Sequence, residues 1–237
     1  MTLLRQSSKA LGPDLEFALS LADDADAITL GHFRAGELHV ETKPDLTPVT
    51  EADRAAESAL RQRLARDRPD EAVLGEEEGA DAHDQNAPRW IVDPIDGTRN
   101  FSRGIPVWAT LIAYADRVAV VSAPALGRRW WAERGAGAFV DGSPIRVSAI
   151  DRLEDATVLY GLERPPPARA YDAWHVRGFG DFWAHMLVAE GAAEAAFDAS
   201  GLAIWDWAPM KILVEEAGGR YESSVSWNGQ LDVSELR

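Results

Sequence analysis

No cysteine occurs anywhere in the 237 residues. Disulfide cross-links, zinc–thiolate sites and thiol nucleophiles are thereby excluded, and the composition suits a reducing compartment. No stretch approaches the roughly 20 consecutive apolar residues of a membrane span. Met1 to Leu11 also lacks an apolar core of signal-peptide length. Basic residues are few: 24 Lys and Arg stand against 39 Asp and Glu, a formal net charge of −15. Binding to a nucleic-acid backbone needs a basic face, so no nucleic-acid partner is expected. These absences predict a cytoplasmic protein with neither membrane nor nucleic acid as partner. The remainder, 46% hydrophobic and 27% charged, is ordinary for a globular chain.

Hydrophobic spacing places the elements. Pro13 to Phe33 predicts a helix with Leu15, Leu19, Ala22, Ala25 and Ile28 near one stripe, closed by Gly31 and Gly36. Leu38 to Thr42 predicts a short strand and Lys43 to Pro48 a turn. Thr50 and Asp53 form a capping box for a second helix, whose buried face is Ala56, Leu60 and Leu64. Ala72 to Leu74 predicts a strand entering the acidic run Gly75-Glu-Glu-Glu78, and Ala80 to Pro88 a polar loop. Strands are expected over Val107–Tyr114, Val118–Ala123, Arg129–Glu133, Ala138–Val140 and Ile145–Val147. A turn falls at Asp116 and a hairpin at Asp141-Gly142. Another strand lies within Leu153–Gly161. Asp181–Gly191 and Asp206–Ala217 predict helices, the second ended by Gly218-Gly219, with strands and helices alternating to the end. The order predicts a layered α+β or α/β fold. Its expected division is an N-terminal α+β lobe over residues 1–150 and a C-terminal α/β lobe over 151–237, in one compact unit.

The most informative segment is Trp90-Ile-Val-Asp-Pro-Ile-Asp-Gly-Thr-Arg-Asn100. An apolar strand ends on Asp93, and Pro94, with no N–H and a fixed φ, is expected to stop its ladder. Asp96, Gly97 and Thr98 follow. Two carboxylates, a residue that lets a ligand approach the backbone, and a hydroxyl suit magnesium and a phosphate oxygen. The same letters also suit a plain turn between strands. Glu76 and Asp206 lie at the ends of apolar elements as well. Taken singly, a solvated loop charge accounts for the first and a helix N-cap for the second. Four carboxylates gathered without a cation would repel one another and raise their pKa values. An oxygen-only donor set points to magnesium, with manganese as a substitute, rather than zinc.

Asp93-Pro-Ile-Asp-Gly-Thr98, Gly75-Glu-Glu77, Asp45-Leu-Thr-Pro-Val-Thr-Glu-Ala-Asp53 and Trp205-Asp206 ahead of Glu216-Ala-Gly-Gly219 resemble the signature segments of the inositol monophosphatase-like phosphatases. They occur in the same order and cover nearly the whole chain. Arg89-Trp-Ile-Val-Asp93, Pro106-Val-Trp-Ala-Thr-Leu-Ile112 and Arg177-Gly-Phe-Gly-Asp181 are most similar to the histidinol-phosphate phosphatase branch. The resemblance implies an α-β-α-β-α layered fold, a homodimer, and a phosphomonoesterase using two or three magnesium ions. Its substrate would be a small phosphorylated metabolite, here L-histidinol phosphate in histidine biosynthesis. It implies that Glu76, Asp93 and the carbonyl of Ile95 hold one metal, and that Asp93 bridges to a second held by Asp96 and Asp206. It also implies that Asp53 pairs with Thr98 to orient and deprotonate the attacking water, while the N–H groups of Gly97 and Thr98 hold phosphate oxygens.

A substrate bearing an ammonium and an imidazole needs carboxylates beyond the metal set, and Asp181 and Asp198 are the candidates. Asp181 suits a helix N-cap equally well. Arg99 follows the phosphate turn directly, and Arg177 is a further candidate for phosphate or for the dimer partner, although a surface ion pair accounts for it too. Two other readings stay open: a phosphatase for inositol monophosphate or another small sugar or nucleotide phosphate, and a non-catalytic metal-binding protein. Leu162–Tyr171 and Glu222–Ser226 are short for the family, which bears on the substrate rim and on subunit contact.

Overall fold

The computed structural model describes residues 11–35, 40–42, 48–81, 88–161, 166–198 and 201–236. The expected turn over 43–47, the loop over 82–87 and the start of the 162–171 stretch fall outside them. Helix α1 (Pro13–Ala35) leads through the antiparallel pair β1 (Val40–Thr42) and β2 (Pro48–Thr50) into helix α2 (Glu51–Asp67). Gly31 stands inside α1 rather than closing it; one glycine costs a helix only about 1 kcal/mol. The buried stripe is Leu15, Ala18, Leu21, Ala22, Ala25 and Thr29, so the expected Leu19 and Ile28 lie at its edges, half-buried. The capping box of α2 forms as expected. The Thr50 hydroxyl accepts from the N–H of Ala52 and Asp53, and Asp53 accepts from the N–H of Thr50.

The first sheet collects β3 (Ala72–Gly75), β4 (Gly79–Ala80), β5 (Arg89–Asp96), β6 (Ala109–Tyr114), β7 (Val118–Ala123), β8 (Arg128–Glu133), β9 (Gly137–Val140) and β10 (Ser143–Ile145). Its order is β10-β9-β8-β7-β6-β5-β3-β4, with β3 and β5 parallel and the other pairs antiparallel. Every residue of β6 and β7 is buried, because helices cover both faces; such strands read as unbroken apolar runs. Asp141 and Gly142 both have positive φ, as a two-residue hairpin turn requires. The tight turn starts β10 at Ser143, two residues before the expected Ile145.

Pro94 does not stop β5. The strand continues through a bulge between Asp93 and Asp96, where its register against β6 shifts, and a bulge is where a sheet accepts proline. The Pro94 carbonyl accepts from the Thr110 hydroxyl at 2.8 Å. A short helix, α3 (Thr98–Ser102), follows directly.

The second sheet contains β11 (Thr157–Tyr160), β12 (His175–Arg177), β13 (Ala195–Phe197), β14 (Arg220–Glu222) and β15 (Val225–Trp227), in the order β12-β11-β13-β15-β14. Helices α4 (Asp181–Ala189) and α5 (Ile204–Glu216) lie between the sheets. The chain finishes in the β14–β15 hairpin and a turn-rich tail, not in further helix as expected. Ser223 and Ser224, both at positive φ, make that hairpin tight.

The layers follow from the apolar clusters. Helices α1 and α2 bury Leu21, Leu60 and Leu64 against Trp90 and Val92 on one face of the first sheet. Helices α4 and α5 bury Phe182, Met186 and Leu213 against Leu111, Val121 and Trp130 on the other. The outer face of the second sheet is covered by the 3₁₀ turn Ala168–Asp172 and by Leu231, Val233 and Leu236. The fold is thus a layered α/β sandwich whose fifth layer is this short turn and tail. Among the described residues no helix is long and apolar enough to cross a membrane.

Candidate active site

Four chain segments converge at one end of the first sheet. Strand β5 delivers Asp93, which is buried, and its bulge swings Asp96 to the strand's end. Helix α5 contributes Asp206 from its third position and not from the N-cap position of the alternative reading; its carboxylate accepts from the N–H of Ala203 at 2.8 Å. Carboxylate oxygens of Asp93, Asp96 and Asp206 lie within 4.8 Å of one another. Glu76 occupies the turn between β3 and β4 and donates its N–H to the carbonyl of Val92 at 3.2 Å. From there its charge acts on Asp53, Asp93 and Asp206.

Electrostatics of this arrangement are costly without a cation. Loss of solvent, then the charges of Glu76, Asp96 and Asp206, hold the Asp93 carboxyl well above the usual range. Desolvation and then Asp181 and Asp206 do the same to Asp96. Asp206 is pushed up to about 7, mainly by burial, with Glu76, Asp198 and Asp181 adding to it. A hard divalent cation removes the conflict. An oxygen-only donor set suits magnesium.

Asp53 lies beside this group, fully buried on the first turn of α2. One oxygen accepts from the Thr50 N–H and hydroxyl, at 2.8 and 2.5 Å, while Oδ1 has no hydrogen-bond partner among the described residues. Burial raises this group to about 6. The expected pairing of Asp53 with Thr98 is not made. The Thr98 hydroxyl instead donates to the carbonyl of Ile95 at 3.0 Å, because α3 begins at Thr98 and that carbonyl is one turn back. Ile95 is itself fully buried, and its N–H donates to Asp93 Oδ1 at 2.9 Å. Gly97, at φ +86°, makes the corner; a Cβ there would stand 3.1 Å from the carbonyl of Val107.

The substrate candidates divide. Asp181 is drawn in, but not as an N-cap: Gly180 takes that position, and Asp181 sits at φ +55°. The N-terminus of α4 is satisfied from across the site, where the Phe182 N–H donates to Asp96 Oδ2 at 2.6 Å. Burial and then Asp198 raise Asp181 to about 6, opposed by Arg99. Asp198 follows β13, and its charge reaches Asp96, Asp181 and Asp206. Arg99 is exposed, and its charge acts on Asp181. Arg177 is not brought in: it is exposed and donates to its own neighbour, the carbonyl of Val176.

Three neighbours went unread in the sequence. His185 is fully buried, with Nδ1 2.8 Å from the Ser226 hydroxyl and Nε2 3.7 Å from Asp198. The Tyr221 hydroxyl is buried without a hydrogen-bond partner among the described residues, its pKa raised by burial and then by Asp198, Asp206 and Asp96. The i, i+4 spacing of Asp181 and His185 on one helix was a usable signal; Tyr221 and Ser226 carried none.

Known proteins resemble this chain in sequence and in fold. The family model described as the inositol monophosphatase family matches residues 11–231. The chain is 50% identical over 228 residues to the histidinol-phosphatase of Mycobacterium tuberculosis, covering 89% of this chain and 87% of that one. It is 45% identical over 230 residues to the histidinol-phosphatase of Streptomyces coelicolor, covering 88% and 85%. Among solved structures, the extragenic suppressor protein suhB of Bartonella henselae superposes with a TM-score of 0.83 at 29% identity, over 92% of this chain and 95% of that one. The inositol monophosphatase of Thermotoga maritima gives 0.81 at 28%, over 92% and 93%. The chain belongs to the inositol monophosphatase family, and with it to the metal-dependent phosphoric monoester hydrolases.

Proposed function

We propose that the protein hydrolyses L-histidinol phosphate to L-histidinol and phosphate, with magnesium. The observation that carries the substrate is the surplus of acid: Asp181 and Asp198 stand beside Asp93, Asp96 and Asp206, two carboxylates more than the cation set uses. A substrate with an ammonium and an imidazole suits an acidic rim of this kind, whereas inositol offers only hydroxyls. The two relatives named histidinol-phosphatase support the same choice.

In this reading Glu76, Asp93, the Ile95 carbonyl, Asp96 and Asp206 hold two or three magnesium ions. Bound there, magnesium neutralises phosphate oxygens and makes water acidic enough to act as nucleophile. The chain's own groups do the rest. Asp53 Oδ1, buried and without a partner among the described residues, receives the proton of the attacking water, and an acceptor raised to about 6 suits that task at neutral pH. The N–H groups of Gly97 and Thr98 orient the phosphate, and Asp181 and Asp198 orient the amine. Fixed carboxylates on element ends keep reorganisation small. A homodimer belongs to this reading too, supported by exposed Tyr171 and Trp174 beside edge strand β12; a single-chain mass in sedimentation overturns that part.

The test is phosphate release from L-histidinol phosphate and from inositol 1-phosphate, with magnesium and with chelator. A chelator-sensitive preference for histidinol phosphate is expected. Preference for inositol phosphate overturns the substrate and keeps the chemistry.

A further inference from the structure

Glu57 takes no part in the proposed reaction, yet it is completely enclosed. It stands on α2 four residues after Asp53, on the same helix face. Its Oε2 accepts from the N–H of Glu77 at 2.7 Å, and its Oε1 from the N–H of Glu78 at 3.0 Å. Arg61, one turn further on, donates through Nε to Glu57 Oε1 at 2.9 Å and through Nη2 to the carbonyl of Gly79. It also lies 3.6 Å from the Glu78 carboxylate. The β3–β4 turn is therefore stitched to α2 at three successive residues.

Gly75 makes this approach possible, since a Cβ there would lie 2.2 Å from Glu57 Oε1. Three consecutive glutamates in a tight turn repel one another. Glu57 occupies the turn's own amides, which form a ready anion cradle, and Arg61 balances its charge. We infer that Glu57, held by Arg61, is a positioning residue for Glu76. It fixes the turn's backbone so that the Glu76 carboxylate meets Asp53, Asp93 and Asp206 before any cation arrives. This rests on the reading of Glu76 as a metal ligand.

Glu57→Gln tests it. The amide keeps the shape but turns an N–H toward a backbone N–H and discharges the Arg61 pair. Mn²⁺ binding to the full-length protein is followed by the electron paramagnetic resonance of free Mn²⁺, beside thermal melting in chelator. The dissociation constant is expected to rise about 10- to 100-fold, the usual effect of losing a group that orients a ligand, and activity returns at high Mn²⁺. A merely structural Glu57 lowers the melting temperature in chelator and leaves Mn²⁺ affinity at the wild-type value, which overturns the inference. Arg61→Lys, nearer the surface, gives the same test should Glu57→Gln not fold: weaker Mn²⁺ binding supports the role and unchanged binding overturns it. Glu76→Gln is measured alongside. Wild-type affinity in that variant overturns the ligand assignment of Glu76, and the inference with it.

Discussion

The two oxygens of Asp53 serve different ends, and that division makes the residue testable. Oδ2 closes the capping box with Thr50, while Oδ1 is buried with no donor to it among the described residues. Asn in its place keeps an acceptor for the cap and removes a buried charge, which is rarely a stability loss. Asp53→Asn should therefore melt within a few degrees of wild type while kcat falls about 10²- to 10⁴-fold, the range for a lost general base. Comparable kcat in both proteins would remove Asp53 from proton transfer. The cap was legible in the sequence because Thr-x-x-Asp is a local pattern. The idle oxygen was not, since it depends on what α2 packs against. Asp181 gives a second residue-scale prediction. If it holds the substrate ammonium, Asp181→Asn raises KM for histidinol phosphate by roughly tenfold, the worth of a charge-assisted hydrogen bond, and leaves inositol 1-phosphate turnover unchanged. Equal effects on both substrates would assign Asp181 to the cation group instead.

At the scale of elements, the site is built by a strand that bends instead of ending. The bulge at Pro94 lets Asp93 face the carboxylate cluster and Asp96 reach α4, where it takes the Phe182 N–H. A carboxylate at a helix N-terminus also gains from the helix dipole. Asp96 thus anchors α4 to the first sheet across the site. Sequence pattern gave the bounds of β7 without error, because a continuous apolar run between turns needs no partner to be recognised. It misjudged Pro94, because a bulge is defined by the register of the neighbouring strand. Gly97 is the corner on which this depends. Gly97→Ala forces a side chain to φ +86° and sets a Cβ 3.1 Å from the Val107 carbonyl. The expected cost is about 1–2 kcal/mol, with a larger fall in kcat than in stability because Asp96 and Thr98 flank the corner. A thermal melt and a kcat measurement on the same preparation decide; wild-type values of both would mean the corner is not under strain.

For the molecule as a whole, the acid cluster makes stability a function of cation and pH together. Asp206 is raised to about 7, and Asp53 and Asp181 to about 6, with burial the first cause in each, against about 3.9 for an unfolded aspartate. The folded state therefore holds these protons more tightly than the unfolded chain. Their contribution is complete below the unfolded value and is lost as pH rises through 6 to 7. Without metal, the protein should melt higher at pH 5.5 than at pH 8, by about 5 °C or more, because 1 kcal/mol moves a domain of this size by about 2–4 °C. Magnesium held as proposed would bind the ionised carboxylates, so it should add more stability at pH 8 than at pH 5.5 and flatten or reverse the slope. The net charge of −15 pushes in the same direction through general repulsion, and Asp206→Asn separates the two. If the cluster is the source, that variant melts higher than wild type in chelator at pH 8 and loses much of its pH dependence. An unchanged slope would place the effect on the acidic surface and not in the site. Melting curves of both proteins at the two pH values, each with chelator and with millimolar magnesium, distinguish these outcomes.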